Sequence, residues 1–271
     1  MIAVAEVDLY IFALDDHHSR LQEYRRDRTD MGALKKASKL LRDPLGVLKR
    51  RWTSLSERIR FGDSLDYRAV EYWGLRHGTY GFDLRGVGDK TKSHEENVRL
   101  LEEGSEVFLK VCREATVDFT NARILDVGCG TGHFAGLLRQ HSVREYLGID
   151  IVDTLFEGLR TRMPGFRFQR LDVGTEPLGE RFDLILAMDV LQHIVNNRKF
   201  SFALENIRSH LNVGGTVVIS TVLGPLHREA FYVVRRPLKM FEDAFPGFTL
   251  SKPIPYADSL VFSLRQPNNH V

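Results

Sequence analysis

Glycines stand at alternate positions after an acidic residue in Asp126-Val-Gly128-Cys129-Gly130-Thr-Gly132, between an apolar run and an apolar helical pattern. Glycine permits positive φ and close approach of a ligand to the backbone. A helix starting just beyond adds free N–H groups and the positive end of its dipole. That arrangement suits a small carboxylate or phosphate. Asp150 ends the next apolar run, where a carboxylate can accept both hydroxyls of a ribose, and Asp172 ends the one after, within reach of an adenine amino group. Asp189 and His193 follow the apolar run 182–188. An imidazole with an ordinary pKa of about 6.5 can take the proton from an attacking hydroxyl. Asp189 can orient that imidazole or hold substrate, and His227 is a second candidate base. Asp189, His193, Asn196 and Asn197 together hold one carboxylate, a poor cage for magnesium, so no metal is expected.

A nicotinamide dinucleotide fits less well. In the G-x-G-x-x-G pattern the third glycine would fall at position 133, where this chain has His133.

These residues need a frame to position them. Strand and helix patterns alternate from about residue 121, which predicts a parallel sheet with helices on both faces. Strands are expected at 122–127, 146–149, 166–172, 182–188 and 216–221, the fourth apolar enough to lie at the centre. Helical faces fall at Phe134, Leu137 and Leu138, at Leu155, Leu159 and Met163, and at Phe200, Leu204, Ile207 and Leu211. Pro237 opens a short helix with Leu238 and Phe241 inward. Two more strands, 248–254 and 260–264, lie too close for a helical crossover and should pair antiparallel. The expected fold class is therefore α/β, a doubly wound, seven-stranded mixed sheet carrying an N-terminal helical extension. The expected division is an extension over residues 1–118, its first 30 residues poorly ordered, and a core over residues 119–265.

Asp126 through Gly132, Gly148-Ile-Asp150, Arg170-Leu-Asp-Val173 and Phe182-Asp-Leu-Ile-Leu-Ala-Met-Asp-Val-Leu-Gln-His193 resemble the successive motifs of the class I S-adenosylmethionine-dependent methyltransferases. The Asn212-Val-Gly-Gly215 turn fits that pattern. The resemblance is close over residues 121–221 and leaves the first ~110 residues unexplained. It implies S-adenosylmethionine as cofactor and S-adenosylhomocysteine as product. Asp126, Gly128 and Gly130 would surround the methionine moiety and Asp150 the ribose, with Cys129 and Gly132 also binding the cofactor. Ile151 would meet the adenine face, Asp172 and Val173 its edge, and the Ala187 backbone the amino group. Base-modifying relatives carry an Asp/Asn-Pro-Pro-aromatic motif where this chain has Met188-Asp-Val-Leu191, which speaks against a nucleic-acid base. His193 resembles the histidine of small-molecule methyltransferases. The expected reaction is methyl transfer to a hydroxyl of a small molecule, first a sugar, glycan or secondary metabolite. An N-methyltransferase of a small amine and a non-catalytic cofactor-binding module stay open.

The segment 69–82 packs four aromatics, Arg76 and His77 among three glycines. It would close over the cofactor with Arg76 on its carboxylate and Trp73 or Tyr80 on the substrate, or strap the helical head to the sheet. Tyr232, in the connection 223–236, is expected on the opposite wall. Ser93-His-Glu-Glu96 is a capping box opening a helix to about Glu114.

The 271 residues carry a net charge of only +2, but residues 17–60 hold 13 basic and 5 acidic residues, or +8, leaving −6 for the rest. A basic head thus joins an acidic body. Its apolar stripe of Leu34, Ala37, Leu41, Leu45 and Leu48, broken at Pro44, is flanked by basic residues from Lys35 to Arg51. A solvated helix face is the first expectation and a peripheral contact with anionic lipid the second. Nucleic acid is disfavoured, because no aromatic residue is interleaved to stack bases. Two cysteines, Cys112 and Cys129, are too few for a disulfide framework and fit a reducing compartment. The first 14 residues carry Glu6 and Asp8 and no basic leader, so the expected location is the cytoplasm.

Overall fold

A computed structural model describes residues 44–62 and 65–267, with side chains from residue 52 onward. Residues 1–30, the stripe from Leu34 to Leu41 and the basic side chains from Lys35 to Arg51 lie outside the described residues. The chain divides into two compact units at the boundary between Arg60 and Phe61. Helix α1 (Pro44–Phe61), which lies in the first unit up to Arg60, starts on its proline, whose fixed φ and missing N–H suit the first helical turn. Trp52, Leu55 and Ile59 are exposed along it.

The second unit contains the sheet. Its elements in chain order are α2 (Ala69–Tyr80), α3 (His94–Glu114), β1 (Arg123–Val127), α4 (His133–Gln140), β2 (Glu145–Asp150), α5 (Phe156–Arg162) and β3 (Arg167–Arg170). There follow β4 (Phe182–Met188), α6 (Asn197–Ser209), β5 (Leu211–Thr221), β6 (His227–Ala230), β7 (Val233–Arg235), α7 (Lys239–Ala244), β8 (Thr249–Leu250), β9 (Ile254–Tyr256) and β10 (Ser259–Arg265). The strand order is β3-β2-β1-β4-β5-β10-β8, parallel through β5 and antiparallel at β10. The mixed, doubly wound sheet expected from the alternation is thus present.

Period-two alternation splits each central strand between two cores. Leu125 and Val127 of β1 and Ile185 and Ala187 of β4 face Phe200, Leu204 and Ile207 of α6 and Phe241 of α7. Ile124, Leu184 and Leu186 face Phe108 and Val111 of α3, Leu138 of α4 and Leu159 of α5. β4 is covered on both faces, which is why its sequence is nearly all apolar. The predicted capping box at Ser93 is formed: Ser93 accepts from Glu96 N at 3.1 Å, and Glu96 accepts from Ser93 N at 2.7 Å.

The details depart from the sequence expectation in three places. The strand expected at 248–254 is two short ones, β8 and β9, both paired to β10, so eight strands fill seven positions. Ser251 accepts from Ser263 N at 2.8 Å through its side chain, and Pro253 supplies no N–H, so the ladder breaks between them. The Gly214-Gly215 turn is an irregularity inside β5, where the register to β4 shifts. The connection 223–236 contains a hairpin, β6 with β7, outside the main sheet.

Crossovers run outward from β1 to β3 and then return to β4, so the carboxyl ends of β1 and β4 diverge. In open α/β sheets ligands bind at such a switch point. Among the described residues no helix is long and apolar enough to cross a membrane.

Candidate functional site

A cavity of about 510 Å³ opens at that switch point. Its floor is the glycine loop after β1. Gly128, Gly130 and Gly132 have φ of +73°, +49° and +78°, and the N–H groups of Gly128 and Cys129 donate to the Ile149 carbonyl at 2.7 and 3.0 Å. The loop is therefore tied to β2. A Cβ on Gly128 would lie 2.3 Å from Val190 Cγ2, and one on Gly130 would lie 2.9 Å from Val87 Cγ1. Only glycine fits this close approach. Helix α4 begins next with no side chain capping its first turn.

Asp150 ends β2 at the cavity edge. Its Oδ2 accepts from Gly130 N at 3.1 Å and its Oδ1 from Val152 N at 3.2 Å. Burial pushes this carboxyl up to about 6, and the amide N–H groups of Val152 and Gly130 pull the other way. Ile151, Asp172 and Val173 line the same side. A carboxylate, an apolar wall and a second carboxylate thus follow in the order that a ribose, a purine face and a purine edge require. The geometry and donor set fit an adenosine-bearing ligand.

Of the other residues singled out for the cofactor, Cys129 and Arg76 line the cavity, whereas Asp126, Gly132 and Ala187 do not. Asp126 is buried and accepts from the Tyr146 hydroxyl at 2.7 Å. Burial pushes it up to about 7, against the pull of the Tyr146 O–H, with the nearby Asp150 charge adding to the rise. Gly132 sits where a Cβ would meet Leu159 Cδ2 at 2.4 Å. Arg76 spends its guanidinium on the carbonyls of Arg85 at 2.6 Å and Gly88 at 2.7 Å and lies over the Trp73 ring at 4.9 Å. It fastens the loop that presses Val87 against Gly130.

The far wall is aromatic. Trp73 and Tyr232 line the cavity with His193, whose ring stacks on Tyr232 at 5.6 Å and meets Trp73 edge-on at 5.0 Å. His193 Nδ1 lies 2.8 Å from the Tyr232 carbonyl oxygen. A carbonyl only accepts, so Nδ1 carries the proton and Nε2 keeps its lone pair. Burial pulls the imidazole down to about 4, against the Tyr232 carbonyl and Asp189, with the Arg76 charge adding to the fall. Asp189 has another set of partners. Its backbone is left-handed at φ +57°, and its Oδ1 accepts from Ser220 Oγ at 2.7 Å, Ser259 Oγ at 2.8 Å and Gln192 Nε2 at 3.4 Å. His227 is exposed on β6, in a separate surface depression with Asn196 and Arg228. Tyr80 is half-buried under the Arg85 guanidinium, 5.4 Å away, and does not line the cavity.

Four contributors carry no motif. Tyr67 joins Tyr72, Phe61 and Phe231 in an aromatic cluster that continues the cavity wall. Ser220 and Ser259 reach Asp189 from β5 and β10, a placement that only strand pairing reveals. Arg236 is buried under the turn that bears His193. It donates to the Ile194 carbonyl at 2.8 Å and Asn197 Oδ1 at 3.2 Å and lies 3.8 Å over the Phe200 ring. Replacing Arg236 by Met should cost roughly 1–3 kcal/mol by leaving those acceptors unpaired. Thermal denaturation would register this as a fall of several degrees, and an unchanged midpoint would show that the turn holds without Arg236.

The profile of the methyltransferase domain family matches residues 99–246, more than half of the chain and all of the glycine loop, Asp150 and the His193 turn. The chain belongs to the methyltransferase domain family. Within this family of methyltransferases it is 32% identical over 98 residues to trans-aconitate 2-methyltransferase of Rhizobium rhizogenes, covering 36% of this chain and 37% of that protein. It is 31% identical over 124 residues to the ubiquinone biosynthesis O-methyltransferase of Parvibaculum lavamentivorans, covering 43% and 46%. The match thus spans under half the length of these curated relatives. Among solved methyltransferases, the 1,6-didemethyltoxoflavin-N1-methyltransferase of Burkholderia thailandensis, crystallised with S-adenosylhomocysteine, superposes with a TM-score of 0.55 at 18% identity, covering 74% of this chain and 89% of that one. The N-methyltransferase NodS of Bradyrhizobium japonicum gives 0.53 at 19% identity, covering 63% and 98%. At these identities the methyltransferase structures share the fold.

Proposed function

We propose that the protein binds S-adenosylmethionine and transfers its methyl group to a hydroxyl of a small molecule, first a sugar, glycan or secondary metabolite. The observation that carries the hydroxyl assignment is the His193 tautomer, fixed by the Tyr232 carbonyl at 2.8 Å. Family membership supports the transfer itself. The loop at Gly128 and Gly130, Asp150, Ile151, Asp172 and Val173 would hold the cofactor, which when bound supplies a methyl already activated on a sulfonium. The chain's own residues then have two tasks. Trp73 and Tyr232 hold the acceptor and keep water out. His193 Nε2 takes the proton as the hydroxyl oxygen forms its new bond to carbon, leaving an imidazolium whose Nδ1–H stays on Tyr232. An oxygen that is gaining a methyl becomes strongly acidic, so a base near pKa 4 accepts its proton late in the step.

A screen of methyl-labelled S-adenosylmethionine against fractionated metabolites and glycans would identify the acceptor. On that acceptor His193→Gln should lower turnover roughly 100-fold, the lower end of general-base effects because the base is weak. The affinity for S-adenosylhomocysteine should hold. The wild-type rate should show no His193 inflection between pH 5 and 8, since the ring is already neutral above about 4. Unchanged turnover in His193→Gln would remove the base role. It would favour transfer to a small amine, the second reading, which the low proton affinity of His193 also fits. Cofactor binding with no transfer to any fraction would point instead to a binding module.

A further inference from the structure

The aromatic wall holds a hydrogen-bond donor that the reaction above does not use. The Trp73 indole Nε1 lies 2.9 Å from the Tyr67 hydroxyl oxygen. An indole N–H can only donate, so the Tyr67 oxygen accepts, and the phenol's own proton must go elsewhere. Among the described residues no acceptor meets it. Tyr67 is 6% exposed, so bulk water does not supply one freely. Burial pushes the phenol well up, so it carries its proton at every working pH. The carboxylates of Asp66 and Asp172, which like Tyr67 itself line the cavity, push the phenol in the same direction. A buried donor without an acceptor is destabilising, and a ligand with an acceptor atom relieves this.

His193 supplies the complementary group. Its ring packs on the same indole, centroid to centroid at 5.0 Å, and its free Nε2 is an acceptor. The same indole therefore touches both a donor, the Tyr67 O–H, and a residue with a free acceptor, His193. We infer that Tyr67 selects the methyl acceptor by donating its O–H to an oxygen next to the hydroxyl that His193 serves, so the substrate class is molecules with two neighbouring oxygens and an apolar face. The second oxygen needs only to accept; a vicinal hydroxyl, ether or carbonyl serves equally. This assignment rests on the proposed transfer to a hydroxyl.

Three probes separate the outcomes, each titrated by calorimetry into the full chain saturated with S-adenosylhomocysteine: catechol, 2-methoxyphenol with the free hydroxyl for His193 and an ether oxygen beside it, and phenol. Catechol and 2-methoxyphenol should bind about 10-fold more tightly than phenol. Tyr67→Phe should erase that difference while leaving the affinity for S-adenosylhomocysteine intact, which also reports that the variant folds. Equal binding of all three probes by the wild type, a preference for catechol alone, or no binding of any would overturn the assignment. So would a preference that survives in Tyr67→Phe. The wild-type series reads the direction of the hydrogen bond even if the variant fails to fold. Failure of the hydroxyl-transfer reading shows separately, as unchanged turnover in His193→Gln.

Discussion

Replacing Gly128 by alanine should abolish binding of S-adenosylhomocysteine and lower stability by roughly 2–5 kcal/mol. Two costs combine. The backbone at φ +73° disfavours any residue with a Cβ, by about 1–2 kcal/mol. The new methyl would also stand 2.3 Å from Val190 Cγ2, and a β-branched side chain has little freedom to turn away. Val190 N-caps the short turn Leu191–His193, so the strain passes from the cofactor loop to the His193 turn. Thermal denaturation should show a fall of roughly 5–15 °C. Adding Val190→Ala should recover part of it by making room, while the φ cost persists. A Gly128→Ala variant with wild-type melting and binding would show that the loop has slack the geometry denies.

Asp150→Ala should weaken S-adenosylhomocysteine binding by about 1,000-fold. A ribose diol would give this carboxylate two charge-assisted hydrogen bonds, each contributing about 1.5–3 kcal/mol, and each 1.4 kcal/mol is tenfold in affinity. Stability should change much less, although Gly130 N and Val152 N lose their acceptor. The pH dependence follows from the raised pKa. Asp150 is charged above about 6 and protonated below it. Wild-type affinity should therefore fall as pH drops from 7 to 5, and Asp150→Asn should show no such slope. Stability of the ligand-free protein runs the opposite way. A carboxyl raised from 3.8 to about 6 contributes stability that is full below 3.8 and lost as pH rises through 6. Asp126, raised to about 7, adds in the same sense. An affinity that rose on acidification would rule out a charged Asp150 as the ribose acceptor.

The sheet and its cofactor edge were legible because their signals are local. The glycine spacing, the acidic residues at strand ends and the apolar run of β4 each report on a few adjacent residues, and the backbone places them as their spacing implies. The hairpin at β6 and β7 was not legible: His227-Arg-Glu-Ala230 and Val233-Val-Arg235 are short, largely polar and joined by Phe231-Tyr232 rather than by turn residues. Their pairing is fixed from outside, by Phe231 packing on Tyr67 and Tyr72 across more than 150 residues of chain.

The chemistry at the aromatic wall stayed hidden for a related reason. Arg76 looked like an ion-pair partner by residue type, yet its position gives it two carbonyls and a ring. His193 was visible as a base candidate, but its orienting group is a backbone carbonyl from the hairpin, which no side-chain pattern encodes. The segment 69–82 was expected to cover a ligand or to act as a strap. In the structure Trp73 and Arg76 line the cavity, and Tyr72 sits at the centre of the buried aromatic cluster. Tyr67 has no motif at all, and its free donor emerges only from counting hydrogens at Trp73.

The central claim is that the cavity at the switch point holds S-adenosylmethionine through the glycine loop and Asp150. Titration calorimetry of the intact protein with S-adenosylhomocysteine at pH 7 tests it most directly. The account predicts one site per chain with a dissociation constant on the order of 1–100 µM, the range of working cofactor affinities, and its loss in Asp150→Ala. No binding by the wild type, or equal binding by wild type and Asp150→Ala, would contradict it.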